Sequence, residues 1–392
     1  MSQEETPGRH LRVLHLSTGL GLGGAETLLA QLLGALDDGF EHRVISLEGR
    51  SVVGATLVER GVRVETLELQ HWSGRIRAPA RLTRVLRSFR PDLLHGWMYH
   101  ANLVAILTGL ATRLPVICGL HSASLDSGLS RRSTRVVARV GGSLARLAAC
   151  VVSCSEAGVS FHRELGYPRE KIRVIPNGID TATFRPTPTA RAELRAELGL
   201  APQAFLVGMV ARPAPVKNHA LFLRAARKLL DQVEGATLCH FVLCGTSVDA
   251  GNPGLRGGIE ELGLNGHTHL LGPRLDIARI HAGLDVLASC SDAEAFPLVV
   301  GEAMASGTPC VVTDVGDCAR IVGDTGRVVA PGDAAGMAAA WLELRSIGSA
   351  GREALGRRAR ARIERRFSLA RMATRYAALY RELVREGPGL PR

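Results

Sequence analysis

At 392 residues the chain is too long for one ordinary hydrophobic core and about right for two α/β domains. Its hydrophobic content of 46% suffices for buried cores, yet Arg, Gly or Ser breaks every apolar stretch well short of the roughly 18 residues that a membrane span needs. A net charge of +11 excludes a preference for cationic partners and leaves nucleic acid, an anionic surface or a phosphate-bearing ligand.

That charge is carried by arginine, because the lysines are Lys171, Lys217 and Lys228 alone. Eight scattered cysteines sit mostly inside apolar runs such as CVVSCS, which reads as small reduced core residues and not as a disulfide frame or zinc site. The start, MSQEETPGRHLRVLHLS, lacks the basic, apolar and small-residue succession of a signal peptide, so a cytosolic protein is expected.

In chain order, the strand LRVLHLS leads into a glycine loop and the helix AETLLAQLLGAL. Gly19, Gly21, Gly23 and Gly24 let backbone amides approach a phosphate at the positive end of that helix. Gly19, Gly21 and Gly24 also match the GxGxxG spacing of a dinucleotide site, but the following strand, HRVISLEG, lacks an acid closing it for a ribose; Glu48 comes later, in a loop. An NAD site is therefore not expected.

Next comes RIRAPARLTRVLRSFR, with Arg81, Arg84, Arg87 and Arg90 every three residues and Leu82, Val85, Leu86 and Phe89 supplying an apolar side. A second cluster, Arg131, Arg132, Arg135, Arg139 and Arg146, follows the strands DLLHGWM and PVICGLH. Either an anionic lipid surface or plain solvation of an arginine-rich protein accounts for both. The strands CVVSCS and IRVIPNG complete a first doubly wound parallel sheet, and a turn-rich connection, NGIDTATFRPTPTARAELRAELGL, separates it from a second.

The second series runs FLVGMVAR, CHFVLCG, THLLG, LDVLASC, PCVVTDVG and RVVAPGD. Arg212 ends its first strand and Lys217 precedes the next helix, a guanidinium and an ammonium suited to a diphosphate. After LDVLASC, Glu294 falls in the loop outside a strand's carboxyl end, where open α/β sheets bind ligands. Phe296, Pro297 and Leu298 then begin a helix that carries Glu302 about one turn inside it. Two carboxylates beside free helix amides suit a polyhydroxylated, phosphorylated ligand. A glycosidase pair is the other use of two carboxylates, but these two are local neighbours and do not oppose each other across a sugar. The last helix, in FSLARMATRYAALYRELV, packs on its own domain or crosses back to the first.

The segments GGAE, GLH, VVSCSE, PNGID with Phe184, ARPAPVKN and EAFPLVVGEAMASGTPCVVT stand in the order seen in retaining GT-B glycosyltransferases of family 4, which the whole chain resembles. The resemblance implies two Rossmann-like domains facing across a cleft: residues 1–183 binding the acceptor, residues 184–368 binding the nucleotide sugar, and a C-terminal helix over 369–392. It implies transfer of a sugar from a nucleotide diphosphate sugar, by family default a UDP-sugar, to a glycan or lipid-linked hydroxyl with retained configuration, without a cofactor or metal. Glu302 would hold the ribose hydroxyls, Glu294 the donor sugar, Arg212 and Lys217 the diphosphate, with Gly23 and Gly24 closing on it and His121 near the donor sugar. Ser122 stands where the family often has Asp, and Ala295 where it often has Gly. The rivals are a GT-B epimerase or phosphorylase and a non-catalytic nucleotide-sugar or polyanion binder. Aromatic residues, at 4%, are not interleaved with the arginines, so nucleic acid is not expected as a partner.

Overall fold

The computed structural model describes residues 9–21, 23–125, 132–233 and 238–387; Arg131 of the second arginine cluster lies outside them. The chain divides into two compact units. One holds the sequence up to Gly178 and resumes at Leu369, and the other is Ile179–Ser368.

In the first unit, strands β1 (Leu11–Ser17), β2 (Phe40–Ser46), β3 (Arg63–Thr66), β4 (Leu93–Trp97), β5 (Val116–Leu120), β6 (Cys150–Ser153) and β7 (Ile172–Val174) form a parallel sheet in the order β3-β2-β1-β4-β5-β6-β7. The second unit repeats the plan with β8 (Phe205–Val210), β9 (Cys239–Cys244), β10 (Thr268–Leu270), β11 (Val286–Ser289), β12 (Cys310–Thr313) and β13 (Arg327–Val329), ordered β10-β9-β8-β11-β12-β13. Helices cover such strands on both faces, which is why LLHGW, VICGL and CHFVLC are buried throughout and do not alternate. All eight cysteines are buried and free.

Each sheet reverses its strand order at one place, between β1 and β4 in the first unit and between β8 and β11 in the second. The loops leaving these strands diverge to opposite faces, so a crevice opens at each carboxyl edge.

The helix Leu369–Glu386 packs on the sheet of the first unit, burying Met372, Tyr376, Tyr380 and Leu383. At roughly 1.5–3 kcal/mol for each fully buried large side chain, that stripe holds the helix in place. Tyr380 OH is 2.8 Å from His95 Nδ1, and Arg173 grips Glu382 through two hydrogen bonds of 2.6 and 2.7 Å.

In the second unit a fully buried carboxylate, Asp285, is held by Arg191, Arg195 and Arg352 at 2.6, 2.5 and 2.9 Å and accepts from Leu206 N–H. It stands immediately before β11 and so anchors the strand that leads to Glu294. Asp285→Asn leaves three guanidiniums without their counter-charge, and a loss of about 3–5 kcal/mol is expected. Urea unfolding checks this; a midpoint within experimental error of the parent would exclude the anchoring role.

Candidate functional site

In the second unit the two loops at the β8/β11 reversal are tied together. After β8 the chain passes Arg212, makes a tight turn at Pro215–Lys217 and reaches Asn218, whose φ of 52° is left-handed. Asn218 caps the helix His219–Leu230 by accepting from Leu221 N–H at 3.0 Å, and its amide donates to Asp292 at 2.9 Å. Asp292 N–H donates to Val216 carbonyl oxygen at 2.8 Å.

These braces bring Lys217 onto Glu294 as an ion pair. Ser291 donates to the same oxygen, Oε1, at 2.7 Å, which leaves Oε2 to a ligand. Arg212, exposed, forms no ion pair among the described residues, so its fork is available to an anion. Gly316 fits beneath this loop: its φ is 57°, and a Cβ there would lie 2.1 Å from the carbonyl oxygen of Glu294.

Phe296 is buried against Phe367, and Pro297 caps the helix Leu298–Ala305, so Glu302 is its fifth residue. The amides of Leu298 and Val299 at its start lack backbone partners, as at any helix N-terminus. The Glu302 side chain is 22% exposed, and its Oε2 lies 3.7 Å from Nε2 of the fully buried His281, which makes no hydrogen bond with either ring nitrogen. Arg212, Lys217, Glu294, Phe296, Pro297, Leu298 and Glu302 therefore cluster at the carboxyl end of one sheet. Sequence reading missed the braces around them. Asn218 was legible as a helix cap, whereas Asp292 and Gly316 act only through the folded loops.

Gly23, Gly24 and His121 belong to the first unit. Gly23 caps the helix Gly24–Ala35 with an extended φ of −145°, and a Cβ there would meet Glu26 Oε2 at 2.2 Å. The carboxylate of Glu26 bonds its own backbone amide, so the helix end expected to receive a phosphate already carries an acid; burial, with Glu48 adding to it, raises the pKa of Glu26. His121 follows β5 with its ring stacked on Trp97 at 4.9 Å. Burial lowers its pKa to about 4 against the raising effect of Asn177, so the imidazole is neutral at pH 7. It can exchange hydrogen bonds with a sugar but brings no charge.

The arginine helices turn their apolar sides inward. Val85 and Phe89 are buried in the first unit, with Leu82 and Leu86 packed against its core, so that apolar side faces inward. Outside, the helix Trp72–Phe89 presents Arg84 and Arg87 with Trp72 and Ile76 exposed, and the helix Arg132–Leu144 presents Arg132 and Arg139 with Val136 and Val140. Among the described residues no helix is long and apolar enough to cross a membrane, and no three His, Cys, Asp or Glu side chains gather as a metal site would.

Residues 22–183 match the family described as Glycosyltransferase Family 4, and residues 202–346 match Glycosyl transferases group 1. The candidate glycosyltransferase EpsF of Bacillus subtilis (strain 168) is 27% identical over 323 residues, 77% of this chain and 79% of that protein. The UDP-Gal:alpha-D-GlcNAc-diphosphoundecaprenol alpha-1,3-galactosyltransferase of Escherichia coli is 27% identical over 252 residues, 60% of each chain. Among solved structures, Anabaena Alr3699/HepE in complex with UDP aligns with a TM-score of 0.83 at 24% identity, covering 95% of this chain and 100% of that one; the same protein has been solved with UDP-glucose. At this identity the likeness speaks for the fold.

Proposed function

We propose that this chain, a glycosyltransferase of the GT-B type, transfers a sugar with retained configuration from a UDP-sugar to a hydroxyl of a glycan or lipid-linked acceptor in cell-surface polysaccharide synthesis. The observation that carries this reading is the tied pair of loops at the β8/β11 reversal, which sets a free Arg212, the Lys217–Glu294 pair and Glu302 around one helix N-terminus. The UDP complexes of HepE and the lipid-linked substrate of the Escherichia coli relative support the donor and the acceptor.

Charge must be stabilised on the departing diphosphate as the anomeric bond breaks. Arg212, Lys217 and the amides of Leu298 and Val299 supply it without a divalent ion, and a phosphate oxygen takes the acceptor's proton. The Oε2 atom of Glu294 binds a donor-sugar hydroxyl, Glu302 the ribose hydroxyls, and neutral His121 a further sugar hydroxyl. Gly23 and Gly24 close on the diphosphate. The exposed mixture of arginine, Trp72 and Ile76 suits peripheral attachment to an anionic membrane at its cytosolic face.

Nucleotide release from UDP-, GDP- and ADP-sugars, with and without chelator, tests the proposal on the parent protein and Glu302→Ala. Chelator-resistant release from UDP-sugars, with a KM raised about tenfold or more in the variant, is expected. Binding of a donor without any turnover, even with acceptors supplied, would favour the non-catalytic reading. Sedimentation of the protein with anionic vesicles and not with neutral ones tests the surface.

A further inference from the structure

The first unit holds a cavity of about 570 Å³ that none of the roles above uses. Thr18 and Glu26 line it from the segment after β1, Glu48 from the loop after β2, and Tyr99 and His100 from the segment after β4. It therefore lies at this sheet's own strand-order reversal, and its volume falls within the roughly 300–1,000 Å³ of small-molecule sites.

Its wall is polar but of one sign. Among the described lining residues there are two carboxylates, Glu26 and Glu48, and neither Arg nor Lys, in a chain whose net charge is +11. Glu48 Oε2 approaches the glycine loop closely enough that a Cβ on Gly19 would lie 3.0 Å away. Thr18 Oγ1 is shielded from solvent and has no hydrogen-bond partner among the described residues. Met98, which also lines the cavity, has a φ of 70° and ψ of 169°, a region that side chains strongly disfavour, and it turns the chain into the helix Tyr99–Thr112.

We infer that this cavity receives the acceptor's sugar ring and selects a ring free of phosphate and carboxylate groups. The inference rests on the transferase reading and specifies its acceptor. Carboxylates accept hydrogen bonds from hydroxyls or an amine, whereas an anionic substituent would be buried against like charge with no guanidinium among the described lining residues to answer it. The anionic part of a lipid-linked acceptor instead stays outside. Ser133 and Thr134 line the cavity, and the same helix, Arg132–Leu144, carries exposed Arg132 and Arg139.

Ligand-observed NMR on the whole protein tests this with methyl glucoside, glucosamine, glucose 6-phosphate and glucuronate, alongside nucleotide release from the donor. The neutral and amine-bearing rings are expected to bind at least about tenfold better than the anionic ones, the order of one unfavourable charge contact. Glu48→Gln should narrow that gap, and Glu48→Arg should invert it while leaving acceptor-free nucleotide release intact. Equal binding of all four rings, or an unchanged gap in Glu48→Arg, overturns the inference. Absence of donor turnover would instead count against the transferase reading, and the ring preference would still be measured.

Discussion

Lys217→Met is expected to lower kcat by about 10²–10³-fold, with a smaller change in KM. Charge on the leaving diphosphate grows as the anomeric bond breaks, so a cation positioned for it acts mainly in the transition state. Lys217 rests on Glu294, which Ser291 also holds. The pair thus keeps a cation ready and fixes the carboxylate in one orientation. Lys217→Arg should restore the charge but not the full rate, because a planar fork occupies the turn differently from an ammonium. Glu294→Gln should also lower activity, and the double variant should fall short of the product of the two losses by a coupling of about 0.5–3 kcal/mol. Steady-state kinetics over the four proteins makes the decision. Effects that multiply without coupling would mean that the two side chains act independently in the transfer.

The alternation of apolar strands with helices made two parallel sheets legible, because buried parallel strands need continuous apolar runs. Glu294 and Glu302 were legible for a related reason: Glu294 lies just beyond a strand's carboxyl end, and Glu302 lies just inside the proline-started helix that follows. The contact between Lys217 and Glu294 was not, since 77 residues separate them and only the strand order brings β8 beside β11. Glu26, Glu48, Tyr99 and His100 meet for the same reason, through loops that are distant in sequence. The glycine loop was legible as a turn, but the approach of the Glu26 carboxylate to Gly23 was not, because it depends on how that side chain folds back onto its own helix start. Likewise, the amphipathic pattern of the helix Trp72–Phe89 gave its inward face correctly in period, yet a helical wheel does not say whether core or membrane covers it.

Acidification from pH 7 to about 5 is expected to unfold the first unit before the second. His15, His42 and His95 adjoin on neighbouring strands, and His121 stacks on Trp97 beside them. The helix Leu369–Glu386 covers this group, with Tyr376 and Tyr380 against His95. Burial lowers the pKa of His42, His121 and His162 to about 4, and that of His15 and His95 well below the usual range. In the unfolded chain each titrates near about 6.5. Between these values the unfolded state binds more protons, so stability is full above about pH 6.5 and is lost as pH falls toward the folded pKa. Each such histidine removes about 1.4 kcal/mol per pH unit in that window, and five acting together consume a typical domain stability of about 5–15 kcal/mol within one to two units. In the second unit burial lowers the pKa of His219 and His269, so fewer groups draw on its stability in the same window, and the carboxyl of Asp276, held low by Arg274, adds its loss only at far lower pH. Hydrogen exchange followed by peptide mass analysis separates the two units. Early exchange confined to peptides before Gly178 and after Leu369 is expected, with the onset moved to lower pH in His42→Phe. Simultaneous opening of both units, or an onset indifferent to that substitution, would place the acid-labile groups elsewhere.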